Sequence, residues 1–191
     1  MDPILLEFPD TFETDRLTIR SPRAGDGLEV FEAIQESIAE LRAWMPWAQD
    51  EPTVDASEAY VRHASAHWAA RTDLPLLLFN KGTNLFLGGS GLHRFDWSLR
   101  SFEIGYWIRS SMSGQGYITE AVNGITEYAF NFLKATRVQI RMDSRNSRSI
   151  AVARRCGFML EGTLRHEALD VKGMPRDTVV FSKIAAEEFH K

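Results

Sequence analysis

Apolar positions along this chain alternate in some stretches and recur every three to four residues in others, and the two rhythms predict its strands and helices. Arg16 to Arg20 (RLTIR) alternates and predicts a first strand, ended by Pro22. Between Asp26 and Glu36 the residues Leu28, Phe31, Ala33 and Ile34 fall at helical spacing, and Ile38 to Trp44 predicts a second short helix. Trp44 to Pro52 (WMPWAQDEP) is broken by Pro46 and Pro52 and reads as a loop. Asp55 to Arg71 predicts a third helix, starting near Val54 or Asp55. Leu74 to Asn80 (LPLLLFN) predicts a buried strand, Lys81 to Asn84 a hairpin turn, and Leu85 to Phe95 its partner, loosened by Gly88, Gly89 and Gly91. After a turn at Asp96 to Leu99, Ser101 to Arg109 (SFEIGYWIR) predicts another strand.

The most informative stretch follows at once. Ser110 to Val122 (SSMSGQGYITEAV) leads through Gly114-Gln115-Gly116 into a helix whose apolar face is Ile118, Ala121, Val122, Ile125, Tyr128, Ala129 and Phe132. Arg137 to Met142 predicts a strand and Asn146 to Cys156 a short helix. Gly157-Phe158 leads into a strand toward Leu169, and past the Lys172-Gly173 turn Thr178 to Ile184 predicts the last. The order β-α-α-α-β-β-β-α-β-α-β-β, without repeat or linker, predicts one α/β (α+β) domain over residues 1–191, built on a single mixed sheet of about seven strands flanked by helices.

A strand that enters a glycine loop which opens a helix is built to hold phosphate. Glycines let backbone N–H groups approach a ligand, and the helix start adds unpaired donors and the positive end of its dipole. The loop lacks the Gly-Lys-Ser/Thr end of an NTP-binding Walker A, and Thr119 stands at the third glycine of a dinucleotide fingerprint. On its own, Gly-x-Gly also suits a plain strand-to-helix turn.

Composition narrows the classes. The 191 residues suffice for one domain with a full core. The net charge of −4 argues against a general nucleic-acid surface. No apolar run approaches the ~20 residues of a membrane span, and MDPILLEFPD does not read as a signal peptide. The single cysteine, Cys156, excludes an internal disulfide and fits a reducing cytoplasm. No metal site is expected: His63 and His67 are four apart on a predicted helix, where a solvated face is the ordinary reading. A monomer and a homodimer both remain open.

Placed together, FEIGYWI (Phe102 to Ile108), SGQGYITEAV (Ser113 to Val122), NSRSIAVARRCGF (Asn146 to Phe158) and LEGTLR (Leu160 to Arg165), with TDRLTIR (Thr14 to Arg20) at the start, resemble the GNAT superfamily of acyl-CoA N-acyltransferases, in its RimJ/RimL-type branch. The order and spacing agree over nearly the whole chain. Ser111 stands where the family often has Arg or Gln before its glycines, which removes a side-chain donor but no backbone one. The resemblance implies a mostly antiparallel sheet splayed at a central wedge, and acetyl-CoA as donor without a metal. The pyrophosphate would sit on the N–H groups of Met112, Ser113, Gly114, Gln115, Gly116 and Tyr117, continuing to Ile118. The pantetheine arm would fill the wedge and bond to main chain at Trp107, Ile108 and Arg109, where an N–H would also polarise the thioester carbonyl.

The resemblance also implies the chemistry. Acyl transfer needs a neutral amine and a proton for the departing thiolate. Deprotonating an α-amine of pKa ~8 at neutral pH costs about 1.4 kcal/mol, against more than ~4 kcal/mol for a lysine, so a modest base serves an α-amine. Alternation puts Glu103, Gly105 and Trp107 on one strand face and Phe102, Ile104 and Tyr106 on the other. Glu103 is the candidate base, with a pKa raised beside Trp107. A glutamate paired with a surface cation is the bland alternative. Many relatives carry an acidic tyrosine at the position of Ala153; here Ser149 is the candidate acid, and Asn146 would bind pantetheine or order its turn. Helix capping explains both equally simply. Trp44, Trp47, Trp68 and Glu161 are expected at the acceptor cleft, near His166 and Glu167, with Arg145 and Arg148 toward the cofactor. The acceptor would be a protein N-terminus or an aminoacyl small molecule. An amine-bearing antimicrobial of aminoacyl-nucleotide or aminoglycoside type, polyamines, free amino acids and a non-catalytic acyl-CoA-binding module are the alternatives.

Overall fold

The structure, a computed structural model, describes residues 2–185. The elements are β1 (Thr11–Glu13), β2 (Leu17–Arg20), α1 (Gly27–Arg42), α2 (Val54–Ala70), β3 (Leu74–Asn80), β4 (Phe86–Asp96), β5 (Ser101–Ile108), α3 (Tyr117–Asn131), β6 (Arg137–Asp143), α4 (Ser147–Arg155), β7 (Met159–Leu169) and β8 (Pro175–Ile184). The strands form one eight-stranded sheet in the order β1-β2-β3-β4-β5-β6-β8-β7. Every neighbouring pair is antiparallel except β5 with β6.

That parallel pair defines the molecule. Its register runs only through Ser101↔Arg137, Phe102↔Val138 and Glu103↔Gln139. β5 then stays with β4 as far as Ile108, and β6 stays with β8 as far as Asp143. The two strands part after Glu103, and the sheet opens into a wedge with unpaired main chain on both sides.

Two apolar layers hold the sheet. On one face α3 and α4 deliver Ala121, Val122, Ile125, Tyr128, Ala129, Val152 and Ala153 onto Phe102, Ile104, Val138, Ile140 and Met142. On the other, Val30 and Ala33 of α1 and Val61 of α2 cover Leu77, Phe79 and Phe86, with Trp107 packed at the margin.

The pattern reading differs from this in three places. The sheet has eight strands rather than about seven. The additional one, β1, is a three-residue edge strand paired with β2, too short to alternate visibly. Asp26–Glu36 and Ile38–Trp44 are one helix, α1, because the buried stripe runs on through Val30, Ala33, Ser37 and Leu41. A serine in that stripe breaks the apolar rhythm but not the helix. The stripe is also turned from the expected one, and Leu28 is left half exposed. Along α3 the expected face is buried from Ala121 to Ala129, while Ile118 at its start is only partly buried and Phe132, at the helix end, is half exposed.

Candidate active site

The glycine loop is shaped by its backbone. A 3-10 turn at Ser110–Met112 follows β5. Gly114 and Gly116 then take φ of +78° and +84°, in the left-handed region that β-carbons disfavour. Gly116 is the N-cap of α3 and offers no side chain to its first turn. The amides from Gly114 to Thr119 consequently find no acceptor among the described residues. Those of Met112 and Ser113, expected to join them, are spent inside the turn on Arg109 O (3.0 Å) and Ser110 O (3.1 Å). Two further bonds tie the loop entry to α1: Ser110 N donates to Ser37 Oγ and Ser111 N to Glu36 Oε1, both at 2.9 Å.

Arg16 adds the charge that Ser111 lacks. Its Nη1 donates to Gln115 O (3.0 Å), its Nε to Glu120 Oε2 (2.6 Å), and its guanidinium lies 4.4 Å from the Tyr117 ring centre. Sequence reading used Arg16 only as a strand residue; its contact with a loop 99 positions away carries no local signal. Open amides, a bare helix start and a nearby cation fit a pyrophosphate.

The wedge adjoins the loop. Arg109 N donates to Leu87 O (2.7 Å) on the β4 side. Alternation turns the Trp107 amide the same way and directs those of Tyr106 and Ile108 into the open split. Of the three residues expected to offer main chain there, Ile108 faces the wedge; the N–H groups of Trp107 and Arg109 are turned toward β4. The Arg109 side chain is buried, with Nε 2.9 Å from Glu36 Oε2 but off the hydrogen-bonding line. Trp107 instead lays its ring across Gly89, where a β-carbon would stand 2.5 Å from Nε1.

Glu103 sits where the strands part. Its side chain is 13% exposed, 3.5 Å from Arg94 Nη1, and it accepts from Gln139 Nε2 at 3.4 Å. Both contacts are longer than the 2.7–2.9 Å of a strong charge-assisted bond, so the carboxylate keeps capacity for another partner. Glu161 contrasts with it. Arg137 grips it through two nitrogens, one at 2.6 Å, and Ser182 Oγ donates at 2.6 Å. The Arg137 bond first, then that of Ser182, hold its carboxyl well below the usual carboxylate range, at about 2. Arg137 Nη2 also donates to Gln139 Oε1 (3.0 Å), so a polar chain missed in the sequence runs from Glu161 to Glu103.

On the opposite face, Asn146 caps α4 by accepting from Ser149 N at 3.0 Å. Capping accounts for that carbonyl oxygen. Ser149 Oγ lies 2.8 Å from the Tyr106 hydroxyl. Burial pushes the Tyr106 phenol up to about 12, so it stays protonated at neutral pH. Alternation alone places Tyr106 on the strand face opposite Glu103; the structure shows that it delivers to Ser149 the kind of hydroxyl missing at Ala153.

The three tryptophans are not one cluster. Trp47, half exposed, leans on Trp107 with ring centres 6.0 Å apart, and Trp44 is also exposed. Trp68 is 7% exposed, packed edge-on against Phe8 in the main core, with little surface left for a ligand. Arg145 is taken up by Asp143 (2.6 Å) and Asp170 (3.0 Å), and Glu167 by Arg141 and Thr178.

A cradle suited to phosphate beside a split sheet with open main chain is the arrangement of an acyl-CoA-dependent acyltransferase. The family model for the acetyltransferase (GNAT) domain matches residues 16–159, and the chain belongs to that family as an acetyl-CoA-dependent N-acetyltransferase. It is 32% identical to YdaF of Bacillus subtilis strain 168, provisionally named a ribosomal N-acetyltransferase, over 91% of this chain and 93% of that one. The microcin C7 self-immunity acetyltransferase MccE, solved with acetyl-CoA and AMP, superposes with a TM-score of 0.85 at 25% identity, covering 93% of this chain and 98% of that one. RimL, a ribosomal L7/L12 α-N-protein acetyltransferase solved with coenzyme A, shares the fold with a TM-score of 0.82 at 20% identity, over 90% and 95% of the two chains.

Proposed function

We propose that this enzyme acetylates the α-amine of a protein N-terminus, with Glu103 as base and Ser149 as acid. One observation carries the reading: the β5–β6 wedge has the open glycine-loop amides at one end and Glu103 at the other. The Gly114–Thr119 amides and Arg16 hold the pyrophosphate. The Tyr106 and Ile108 amides bond the pantetheine arm, and one of them faces the negative charge that develops on the thioester oxygen. Glu103, incompletely paired, takes a proton from the amine, directly or through water. Ser149 gives its proton to the thiolate and recovers one through Tyr106, whose phenol is reprotonated from solvent. Glu161, locked as an anion, shapes the acceptor face rather than moving protons.

The α-amine is the acceptor that a modest base serves, since its neutral form is close at hand. The likeness to YdaF supports a protein acceptor. A second reading, an aminoacyl nucleotide, is favoured by the exposed rings of Trp44 and Trp47, which offer a flat base a stacking surface, and by the likeness to MccE. Free-thiol release from acetyl-CoA, with peptides of N-terminal serine or alanine set against an aminoacyl sulfamoyl-adenosine, separates the two. Turnover of the nucleotide alone overturns the peptide reading, and binding of acetyl-CoA with no turnover of any amine leaves a non-catalytic module. The net charge argues against a direct nucleic-acid partner, and the buried free thiol of Cys156 fits a cytoplasmic enzyme, acting as monomer or homodimer.

A further inference from the structure

Amide formation asks more of the acceptor face than one carboxylate supplies. An ammonium loses two protons on its way to an amide, one before its nitrogen attacks and one after the C–N bond forms. The C–S bond breaks with its electron pair on sulfur, which takes up one proton; the other passes to solvent. A second proton acceptor near the nitrogen therefore has work to do.

β4 carries one. His93 pairs in register with Glu103, so both side chains leave the same face of the sheet with β-carbons about 5 Å apart. Its Nδ1 lies 2.8 Å from Asp73 Oδ1 and 3.0 Å from Oδ2. A carboxylate there only accepts, so the neutral ring keeps its proton on Nδ1 and presents a bare lone pair on Nε2. Two glycines make room for the ring. A β-carbon on Gly91 would stand 2.7 Å from Nε2, and one on Gly105 would stand 3.3 Å from Cδ2 and 3.6 Å from Nε2. Gly105 is the next residue on that face beyond Glu103, where β6 has already separated. Nε2 thus lies at the mouth of the wedge. The register continues the row from His93 and Glu103 to Gln139 and Ser182.

We propose that His93 is a second catalytic base: its Nε2 takes the first proton from the amine, and Glu103 takes the second. Asp73 is a positioning residue that turns Nε2 outward and stabilises the imidazolium. Imidazole suits the first transfer because its basicity lies closer to that of an α-amine than a carboxylate's does. The inference rests on the acetyl-transfer reading above.

The test uses the full chain, acetyl-CoA, and the N-terminal serine peptide or the aminoacyl sulfamoyl-adenosine, whichever the wild type acetylates. His93→Gln is expected to lower kcat about 100-fold, with the KM for acetyl-CoA within threefold of wild type. His93→Ala is expected to regain activity about tenfold on added imidazole, as a lost base does, while Glu103→Gln gains nothing from imidazole. Asp73→Asn should lower kcat and, in 15N spectra, shift the ring proton away from Nδ1. A His93→Gln enzyme within threefold of wild-type kcat, or an unrescued His93→Ala that still binds acetyl-CoA, overturns the proposal. So does a wild-type 15N spectrum with the neutral-ring proton on Nε2, which needs no variant to fold and no acceptor to be known. A wild type that acetylates no amine instead overturns the acetyl-transfer reading beneath it.

Discussion

Glu103 and Glu161 stand on the same face of one sheet, joined through Gln139 and Arg137, yet one is loosely paired and the other locked. Glu161 is an anion at any working pH because Arg137 and Ser182 both stabilise its charge. A carboxyl depressed in the fold stabilises it above its unfolded value, near 4.3, and that contribution is lost as pH falls toward about 2. Glu161→Gln should therefore lower the unfolding free energy measured by urea denaturation at pH 7, by about 1 kcal/mol or less since the pair is part-exposed. Its difference from wild type should close between pH 4.3 and 2; a gap unchanged at pH 2 would remove the ion pair as its cause. Glu103→Gln should instead leave stability and acetyl-CoA affinity nearly unchanged. Its loss of turnover should persist above pH ~8, because the second proton must leave after the C–N bond forms even when the amine arrives neutral, whereas the loss in His93→Gln should be greatest below the acceptor's own pKa and shrink above it; unchanged turnover in Glu103→Gln would dismiss Glu103 as base. Tyr106→Phe should cut kcat by about tenfold, a share of general-acid assistance, if the phenol reprotonates Ser149, and an unchanged single-turnover rate would deny it that part. The face of each β5 residue was legible from alternation. The partners were not, because Arg137 reaches Glu161 across 24 positions, and Tyr106 reaches Ser149 across 43.

At the scale of elements, the loop and α1 form one device. Ser37 is fully buried in the apolar stripe of α1 and accepts from the Ser110 amide, while Glu36 accepts from that of Ser111. Pattern reading took the polar residue as a break between two helices, since only the loop packed against it explains why a serine is needed there. The glycine loop was legible because its two left-handed positions demand glycine locally. Gly114→Val should weaken acetyl-CoA binding tenfold or more, because a β-branched residue at a φ of +78° costs about 1–3 kcal/mol and the loop relaxes to avoid it. Nothing lies within 4 Å of a β-carbon built there, so the fold should survive. Isothermal titration with coenzyme A checks this, and an unchanged Kd would mean that Gly114 conformation does not shape the cradle. Ser37→Ala should raise the KM for acetyl-CoA more than it changes kcat, since it frees the loop entry without touching Glu103.

For the whole molecule, the wedge is a fold left incomplete. Its existence was legible only by family resemblance: no residue in β5 or β6 announces the split, which arises because β4 holds all of β5 and β8 holds all of β6. In the proposed binding mode coenzyme A completes the sheet from within, so its binding should stabilise the chain as a unit. At a hundredfold excess over Kd the linkage is about 2.7 kcal/mol, which for a domain of this size raises Tm by about 5–10 °C. The effect should be localised in one pattern of amides. In the free protein the Trp107 and Arg109 amides, turned toward β4, should exchange slowly, and those of Tyr106 and Ile108, turned into the split, should exchange fast. Coenzyme A should slow the second pair and leave the first nearly unchanged. Equal protection of Ile108 and Trp107 in the free protein would mean that the sheet is closed at rest, and would remove the main-chain contacts on which the donor site depends. A rise in Tm without protection of Tyr106 or Ile108 would instead assign the binding to the glycine loop alone.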